Sequence, residues 1–582
     1  MKILLINPPY KVYYTTKTQL FLPRNLAILG ACLIEAGIDE KDISILDLPI
    51  EIQSRKNIPE ELASIDDSIE LLIEKVKMFN PDVVGIGIHA APFIPDVSDC
   101  VNAIRKTKSD VIITTGGIIP SIFKQKIFEI IPEIDVAFEG DAEKSFVQFI
   151  QSIDSSKKNY SKHTIVPSLS GSSKKLKYPL PAYHLLSLDL YRKYYATAGE
   201  FEEQFAPHLE VMRGCPYQCN FCGVERNVRI REIEDVIKEI DFLSNLGYKK
   251  LYFCDETFTL YADITEKLCK AIIDHNYDIS WRCVTRSDSI NKHPELVKLM
   301  KEAGCYEIGL GIEVGSQEML DKIKKGLKID NQIEATRLLQ KNGIGVNALV
   351  ILCNPQEKHS DIRRTFEFVA NQLKPTTSQV FIFHPVPSTP YFDSGSTFGI
   401  DTHVNTIQDW YKWDHTGEPV SGTPNFSRED MLKYYFAYNH AFHTVIDSEP
   451  DHEYLERILN PQNIFPRRKL DVVFQWNGKE AFFYNPSYPE GIYDGNIYLN
   501  SRKLSALTND LFPDYKGEKP LEEISDKLFY EVLLHCNGDL SIREIAEIIT
   551  LLIPVISDEA SKIVNEVLRR FEMLNLIYRL DD

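Results

Sequence analysis

Short apolar runs alternate with segments of helical periodicity along the first 150 residues. The runs KILLIN, ISILDL, DVVGIGI, VIITTGG and DVAFEG carry too few polar positions for a sheet with one wet face. They predict strands buried on both sides. Helices are expected between them, near Leu26–Ala36, near Ser68–Phe79 and after the third strand. This alternation predicts a parallel, doubly wound α/β sheet with helices on both faces. Ligands of such sheets bind at the carboxyl ends of the strands. Those ends carry Asn7-Pro8-Pro9, Gly87-Ile88-His89, Gly116-Gly117 and Glu139-Gly140-Asp141-Ala142-Glu143. Gly116-Gly117 permits close approach of a bulky ligand and equally suits a tight turn without one.

The alternation resumes with a longer period from about 207 to 390. HLEVMR, KKLYFCD, ISWRCVTR, YEIGLGIE, GVNALVIL and SQVFIFHP predict strands, with helices such as Glu232–Leu246 and Ile264–His275 between them. Six strand–helix units predict a partial (β/α)6 barrel, with chemistry at the C-terminal ends of its strands. The Ser- and Lys-rich stretch 155–178 reads as a linker or surface loop, and residues 400–500 are aromatic and irregular. Beyond about 505, helices Asp526–Cys536, Ile542–Leu551 and Asp558–Met573 precede the apolar run LIYRL. With Asn537-Gly538 as a turn, this order predicts a mostly helical, winged-helix-like domain. The expected organisation is a sheet domain over 1–155, a linker over 156–205 and the barrel over 206–395. An irregular connecting region over 396–504 and the winged-helix-like domain over 505–582 complete it.

A chain of 582 residues exceeds what one core serves, and 43% hydrophobic with 26% charged residues is ordinary for soluble globular protein. The net charge of -19 argues against a nucleic-acid partner, which needs clustered Lys and Arg. No apolar run approaches the roughly 20 residues that span a bilayer. The first strand is broken at once by Pro8-Pro9, unlike a signal peptide. A cytoplasmic protein with neither nucleic-acid nor membrane partner is expected.

Of the 11 cysteines, most are scattered singly, several in strand-like runs where cysteine serves as a small hydrophobe. Only Cys215, Cys219 and Cys222, in Arg213-Gly214-Cys215-Pro216-Tyr217-Gln218-Cys219-Asn220-Phe221-Cys222, have ligand spacing on one loop. Three thiolates can bind three irons of a [4Fe–4S] cubane and leave the fourth open to a ligand that is not protein. A zinc site is the alternative, with His208 as the possible fourth ligand. Phe221 favours the cluster, since an apolar neighbour shields it.

The later strand ends carry Asp255-Glu256-Thr257-Phe258, Thr285-Arg286-Ser287-Asp288, Gly311-Ile312-Glu313-Val314-Gly315-Ser316, Asn354-Pro355-Gln356-Glu357 and His384-Pro385-Val386-Pro387-Ser388-Thr389-Pro390. In this order, and over about residues 1–400, the chain resembles radical S-adenosylmethionine (SAM) enzymes that carry an N-terminal cobalamin-binding-type, flavodoxin-like domain. Val314 stands where that family usually has serine, and Ser388 where it has glycine.

The resemblance implies a [4Fe–4S] cluster on Cys215, Cys219 and Cys222. It implies S-adenosylmethionine held by Asp255, Glu256, Arg286, Glu313, Ser316 and Asn354. Glu256 suits the cofactor's ammonium and Arg286 its carboxylate by charge-assisted hydrogen bonds; an ordinary salt bridge is an equal reading of Arg286. Gly116-Gly117-Ile118-Ile119-Pro120-Ser121 and Glu139-Gly140-Asp141-Ala142-Glu143 resemble the family's cobalamin-contacting runs, which makes Gly116, Gly117, Glu139 and Gly140 cobalamin-site residues. No D-x-H-x-x-G motif occurs, and His89 either binds this cofactor or lines its loop.

The implied activity is reductive cleavage of S-adenosylmethionine and methyl transfer to an unactivated carbon, with the hard chemistry supplied by the cofactors. Radical cyclisation, rearrangement or epimerisation is the second reading, and a non-catalytic zinc- or cobalamin-binding protein a third. An external one-electron donor such as flavodoxin or ferredoxin is implied, with a peptide or small molecule as substrate. Leu534–Ala546 resembles leader-peptide-binding winged helices, and a capping domain is the alternative there.

Overall fold

The computed structural model describes residues 1–9, 21–55, 65–153, 160–171, 173–196, 206–402, 404, 406–413 and 419–428, with short strand and helix pieces up to residue 580. The chain divides into two compact units, Met1–Arg428 and Glu429–Asp582.

The first unit opens with a six-stranded sheet. Its strands are β1 (Ile3–Asn7), β2 (Ile43–Asp47), β3 (Val83–Gly87), β4 (Ile112–Gly116), β5 (Val136–Phe138) and β6 (Thr164–Val166). All pair in parallel in the order β2-β1-β3-β4-β5-β6. Helices α1 (Arg24–Glu35), α2 (Leu48–Arg55), α3 (Ile65–Phe79), α4 (Ile94–Thr107), α5 (Ile118–Phe123), α6 (Lys126–Ile130) and α7 (Glu143–Ser152) connect them. Every residue from Ile3 to Ile6 is buried, as a strand covered on both faces requires. Leu4, Ile6, Val84 and Ile86 pack with Leu72 and Val76 of α3 and Val97 and Val101 of α4. The strand order reverses between β1 and β3, which places a crevice at the carboxyl ends there.

The stretch expected as a linker is partly structural. Thr164–Val166 extends the sheet as edge strand β6. Leu176 and Tyr178 pack against Ile28 and Cys32 of α1. The short strand's single Ile, between Thr and Val in a Ser- and Lys-rich setting, gives too little apolar contrast to read as a strand.

After α8 (Leu188–Ala196) a second six-stranded sheet follows. Its members are β7 (His208–Leu209), β10 (Lys250–Phe253), β11 (Ser280–Thr285), β12 (Cys305–Glu313), β13 (Gly345–Leu352) and β14 (Thr377–Ile382), with a short hairpin of β8 (Met212–Arg213) and β9 (Arg229–Ile230) inserted after the first. The order β14-β13-β12-β11-β10-β7 is parallel throughout and forms the open (β/α)6 arrangement. Helices α9 (Ile233–Asn245), α10 (Ala262–Asp274), α11 (Ser287–Lys292), α12 (Pro294–Glu302), α13 (Gln317–Lys322), α14 (Ile329–Lys341) and α15 (His359–Glu367) lie between the strands. Burial alternates strictly along β11 and β13. One row packs against the helices, and the other, with Arg282, Val284, Asn347 and Leu349, is half-buried.

The run HLEVMR is not one strand. Glu210 turns its carboxylate to Arg24 and Arg213, and the amides of Val211 and Met212 are taken by Asp255, so pairing with β10 stops at Leu209. Trp410, Trp413 and Val420 join the core of the first sheet beside α4.

In the second unit, the expected C-terminal strand forms at Ile577–Leu580 and pairs antiparallel with Phe465–Arg468. Val473–Trp476, Ala481–Tyr484 and Leu499–Asn500 make a three-stranded sheet. The region expected as irregular therefore contains strands. Most of the helices expected over 526–573 lie outside the described residues.

Candidate active site

The loop carrying the three cysteines leaves β8 through Gly214, whose φ is +99° and where a Cβ would stand 2.4 Å from the Asn227 carbonyl oxygen. Only glycine passes there. Cys215 N–H then donates to Glu225 O at 2.8 Å, and Cys222 N–H to Cys219 O at 3.3 Å. The Arg226 guanidinium donates to the carbonyls of Tyr217 and Cys222 and ties the two ends together. Asn220 anchors the middle to the end of α13, through Ile323 O and Lys322 O, each at 3.0 Å. Phe221 packs on Val314, Met319, Leu320 and Ile323. Val314, the departure from the family's serine, thus has a place in the apolar support of the loop.

Cys219 is buried, and Cys215 and Cys222 are half-buried. Burial pushes the Cys219 thiol up, with Lys325 pulling it down and Glu313 up. Burial also pushes Cys222 up. Both thiols therefore favour the protonated state until a metal displaces the proton. Among the described residues, no three His, Cys, Asp or Glu side chains converge on one ion position. A cubane gives each thiolate its own iron and needs no such convergence. His208, the fourth ligand of the zinc alternative, lies in β7 between the rings of Phe21 and Tyr252, with centroids 4.1 and 5.1 Å away.

Around the thiols stand residues from three strand ends. Arg286, after β11, lies with its guanidinium 3.6 Å from the Tyr217 ring centroid. It donates to Lys325 O at 2.9 Å and to Asp288 at 3.1 Å, while its buried Nη2 has no partner among the described residues. The salt bridge and the free donor thus coexist, and the free donor suits a carboxylate. Glu313, at the end of β12, is ion-paired with Lys325 at 2.5 Å. Glu256, after β10, is exposed and accepts from Gly214 N–H at 3.0 Å, directly beside the loop.

Other expected residues serve the scaffold. Asp255 is buried and accepts from the amides of Val211 and Met212, and burial pushes it up to about 8 despite those bonds. Ser316 caps α13 by accepting from Met319 N–H at 3.2 Å. Asn354 closes its own turn with Glu357, at 2.9 Å from its backbone N–H, while its buried Oδ1 has no partner among the described residues.

Glu313, Cys353 and Ser388 hold positive φ values of 63°, 66° and 63° at or just beyond the ends of β12, β13 and β14. Left-handed backbone costs a non-glycine residue on the order of 1–3 kcal/mol and clusters at functional sites. At Ser388, where the family has glycine, the hydroxyl donates to Ile122 O of α5 at 3.2 Å. That bond brings the first sheet's β4–α5 edge to the barrel's exit loop. Val386 and Pro387 of the same loop lie against Gly223, which follows Cys222.

On the first sheet, Gly117 has φ +109°, and a Cβ there would meet Ile88 O at 2.7 Å. The turn itself demands this glycine. Gly116 has only Phe138 Cβ within reach, at 3.9 Å, so space is left beside it. Glu139 pairs with Lys124 at 3.0 Å, and Gly140 N–H donates to Ser121 Oγ at 2.8 Å.

Ion pairs that the sequence pattern did not reveal join the two sheets. Asp141 and Glu143 accept from Arg213, two residues before Cys215, at 2.6 and 2.9 Å. Arg24 of α1 bonds Glu210 at 2.9 Å and Glu239 of α9 at 2.6 Å, and Arg231 reaches Glu239 at 2.8 Å. Burial alone would raise Glu210, yet Arg213 and Arg24 hold it well below the carboxylate range. Lys325, the partner of Glu313, gave no signal in the run Lys324-Lys325-Gly326-Leu327-Lys328.

Among the described residues the donor set fits the implied groups: three thiols on one loop, a buried guanidinium donor left unpaired, an exposed acid and a glycine edge. When bound, the cluster supplies one electron to cleave S-adenosylmethionine to a 5′-deoxyadenosyl radical, and cobalamin supplies a methyl carrier. Of this chain's residues, the loop thiolates would hold the cluster, Arg286 has a free donor that would suit a carboxylate, and Glu256 beside the loop would suit an ammonium, while Phe221 packs the loop's apolar support.

Comparison with known proteins agrees. Residues 209–369 match the family described as the radical SAM superfamily, and residues 10–150 the B12 binding domain. An uncharacterised methyltransferase of Pyrococcus horikoshii is 26% identical, over 74% of this chain and 90% of the relative. The anaerobic magnesium-protoporphyrin IX monomethyl ester cyclase of Synechocystis is also 26% identical, over 73% and 82%. The hopanoid C-3 methylase of Methylococcus capsulatus is 22% identical, over 61% and 65%. Among solved structures, the radical SAM methyltransferase TsrM of Kitasatospora setae, with cobalamin and [4Fe–4S] cluster bound, shares the fold with a TM-score of 0.59 at 16% identity, over 79% of this chain and 95% of that one. The cobalamin-dependent radical enzyme OxsB aligns with a TM-score of 0.57 at 14% identity, over 99% and 80%. The chain is therefore a radical SAM enzyme with an N-terminal B12-binding domain, and its cofactors are a [4Fe–4S] cluster, S-adenosylmethionine and cobalamin.

Proposed function

We propose that the protein transfers a methyl group from S-adenosylmethionine, by way of cobalamin, to an unactivated carbon. The observation that carries this reading is the contact between the two cofactor domains. Asp141 and Glu143 of the B12-binding domain grip Arg213 at the root of the cluster loop, and Ser388 of the barrel bonds Ile122 beside the Gly116-Gly117 turn. A corrinoid edge held against a cluster loop suits a reaction that uses both cofactors. The methyltransferase of Pyrococcus and the hopanoid methylase support it.

The second reading is radical cyclisation, favoured by the Synechocystis cyclase at the same identity as the Pyrococcus methyltransferase. Anaerobic incubation with a low-potential reductant and S-adenosylmethionine labelled as methyl-CD3 separates the two. Methyl transfer requires S-adenosylhomocysteine to form together with CD3-labelled corrinoid. A cyclase releases 5′-deoxyadenosine with no S-adenosylhomocysteine, and that result overturns the first reading.

Residues 534–546, on which a peptide substrate would rest, lie almost wholly outside the described residues. No helix among the described residues is long and apolar enough to cross a membrane.

A further inference from the structure

We propose that His89 donates a ring nitrogen to the cobalt of bound cobalamin as its protein axial ligand. The inference rests on the cobalamin reading of residues 10–150. His89 follows β3 by two residues and stands at the carboxyl edge of the sheet, next to the reversal of strand order between β1 and β3.

Its backbone is fixed by the neighbouring strand. Ile88 N–H donates to Gly116 O at 2.9 Å, and Ile88 O accepts from Ile119 N–H at 3.2 Å. The imidazole then lies on a floor of glycine. A Cβ at Gly87 would stand 2.9 Å from His89 Nε2, and one at Gly117 3.4 Å from Nδ1. A side chain at Gly87 would displace the ring, whereas a Cβ at Gly117 would only touch it, so Gly87 has a reason of its own beside the turn that fixes Gly117.

The ring is half-buried, and no hydrogen bond, ion pair or ring contact to it is present among the described residues. A histidine with no partner, beside a corrinoid-binding edge, keeps a nitrogen lone pair for a metal. Burial pushes its basicity down, which keeps the ring neutral at neutral pH. Coordination needs no co-reactant, because a lone pair fills an axial site and no electron is transferred. The D-x-H-x-x-G histidine is absent from the chain, so this ligand would come from a different strand end.

The test uses the full chain loaded anaerobically with cob(II)inamide, which lacks the nucleotide base and therefore offers no nitrogen of its own below the ring. Ligation by His89 predicts nitrogen splitting of the high-field cobalt lines into triplets in the electron paramagnetic resonance spectrum. Protein made with 15N-histidine should give doublets instead. His89→Ala should keep the corrinoid, by visible absorbance, and lose the splitting, and added free imidazole should restore it. Bound corrinoid without splitting, or splitting that survives His89→Ala or ignores the isotope, overturns the inference alone. Protein that takes up neither cobinamide nor cobalamin overturns the cobalamin reading together with it.

Discussion

Replacing Arg24 with Met tests whether buried charge locks the B12-binding domain to the barrel. The Arg24 side chain is 6% exposed, and its guanidinium reaches both Glu239 oxygens at 2.6 and 3.0 Å, Glu210 at 2.9 Å and the Tyr178 hydroxyl at 2.7 Å. Methionine keeps most of the volume and removes the charge. Glu239, fully buried, would retain only Arg231 and the Tyr183 hydroxyl. Breaking one partner of a buried pair costs about 3–5 kcal/mol, because the other charge is left without compensation. With tenfold per 1.36 kcal/mol, the equilibrium for separating α1 from α9 should rise by roughly two to nearly four powers of ten. Hydrogen exchange resolved by peptide reads this locally, without assuming that so long a chain unfolds in two states. Peptides from α1 and from 208–213 should lose that much protection, while β12 and β13 keep theirs. Arg24→Met and Glu239→Gln share one contact, so their effects should fall short of adding in the double variant. Exchange in α1 changed by less than threefold, or full additivity, would refute the reasoning.

Gly117→Ala should destabilise the first domain, because of the positive φ and the clash with Ile88 O, whereas Gly116→Ala should melt as the parent does and take up less corrinoid. Equal corrinoid uptake by Gly116→Ala would remove that residue from the site. Burial pushes Glu357 up to about 8 despite the Asn354 hydrogen bonds. The folded state thus binds the proton more tightly than the unfolded chain, and stability should fall as pH rises from about 4.3 towards 8. Glu357→Gln should flatten that slope in melting temperature measured against pH, and an unchanged slope would count against the assignment. Arg286→Lys keeps the charge but loses the stack on Tyr217 and the free Nη2 donor, so S-adenosylmethionine should bind roughly 10- to 100-fold more weakly in equilibrium dialysis at unchanged iron content. Unchanged affinity would assign Arg286 to its salt bridge with Asp288 alone.

Both sheets were legible because their strands are dense apolar runs and their helices repeat at a clear period. Elements went unread where polar groups carry the structure. β6 is three residues long, and HLEVMR is broken at Glu210, whose partner Arg24 lies in the first domain, where no local pattern links it. The cysteine loop was legible in full, since its three ligands lie within eight residues of each other. An acid or hydroxyl at a strand end reads alike whether it faces a cofactor or the backbone. Glu256 faces the loop, whereas its neighbour Asp255 serves two amides and Ser316 caps a helix. Asp141 and Glu143 were visible as part of an expected cofactor run, but their partner Arg213 lies about 70 residues away, beyond any periodicity argument.

The most direct test of the account is 5′-deoxyadenosine formation by anaerobically reconstituted protein given S-adenosylmethionine and dithionite. The account predicts that protein carrying one [4Fe–4S] cluster releases 5′-deoxyadenosine, and that Cys222→Ala, lacking the cluster, releases none. Cluster-loaded protein that leaves S-adenosylmethionine intact, or a loop that takes up zinc and no iron, would contradict it.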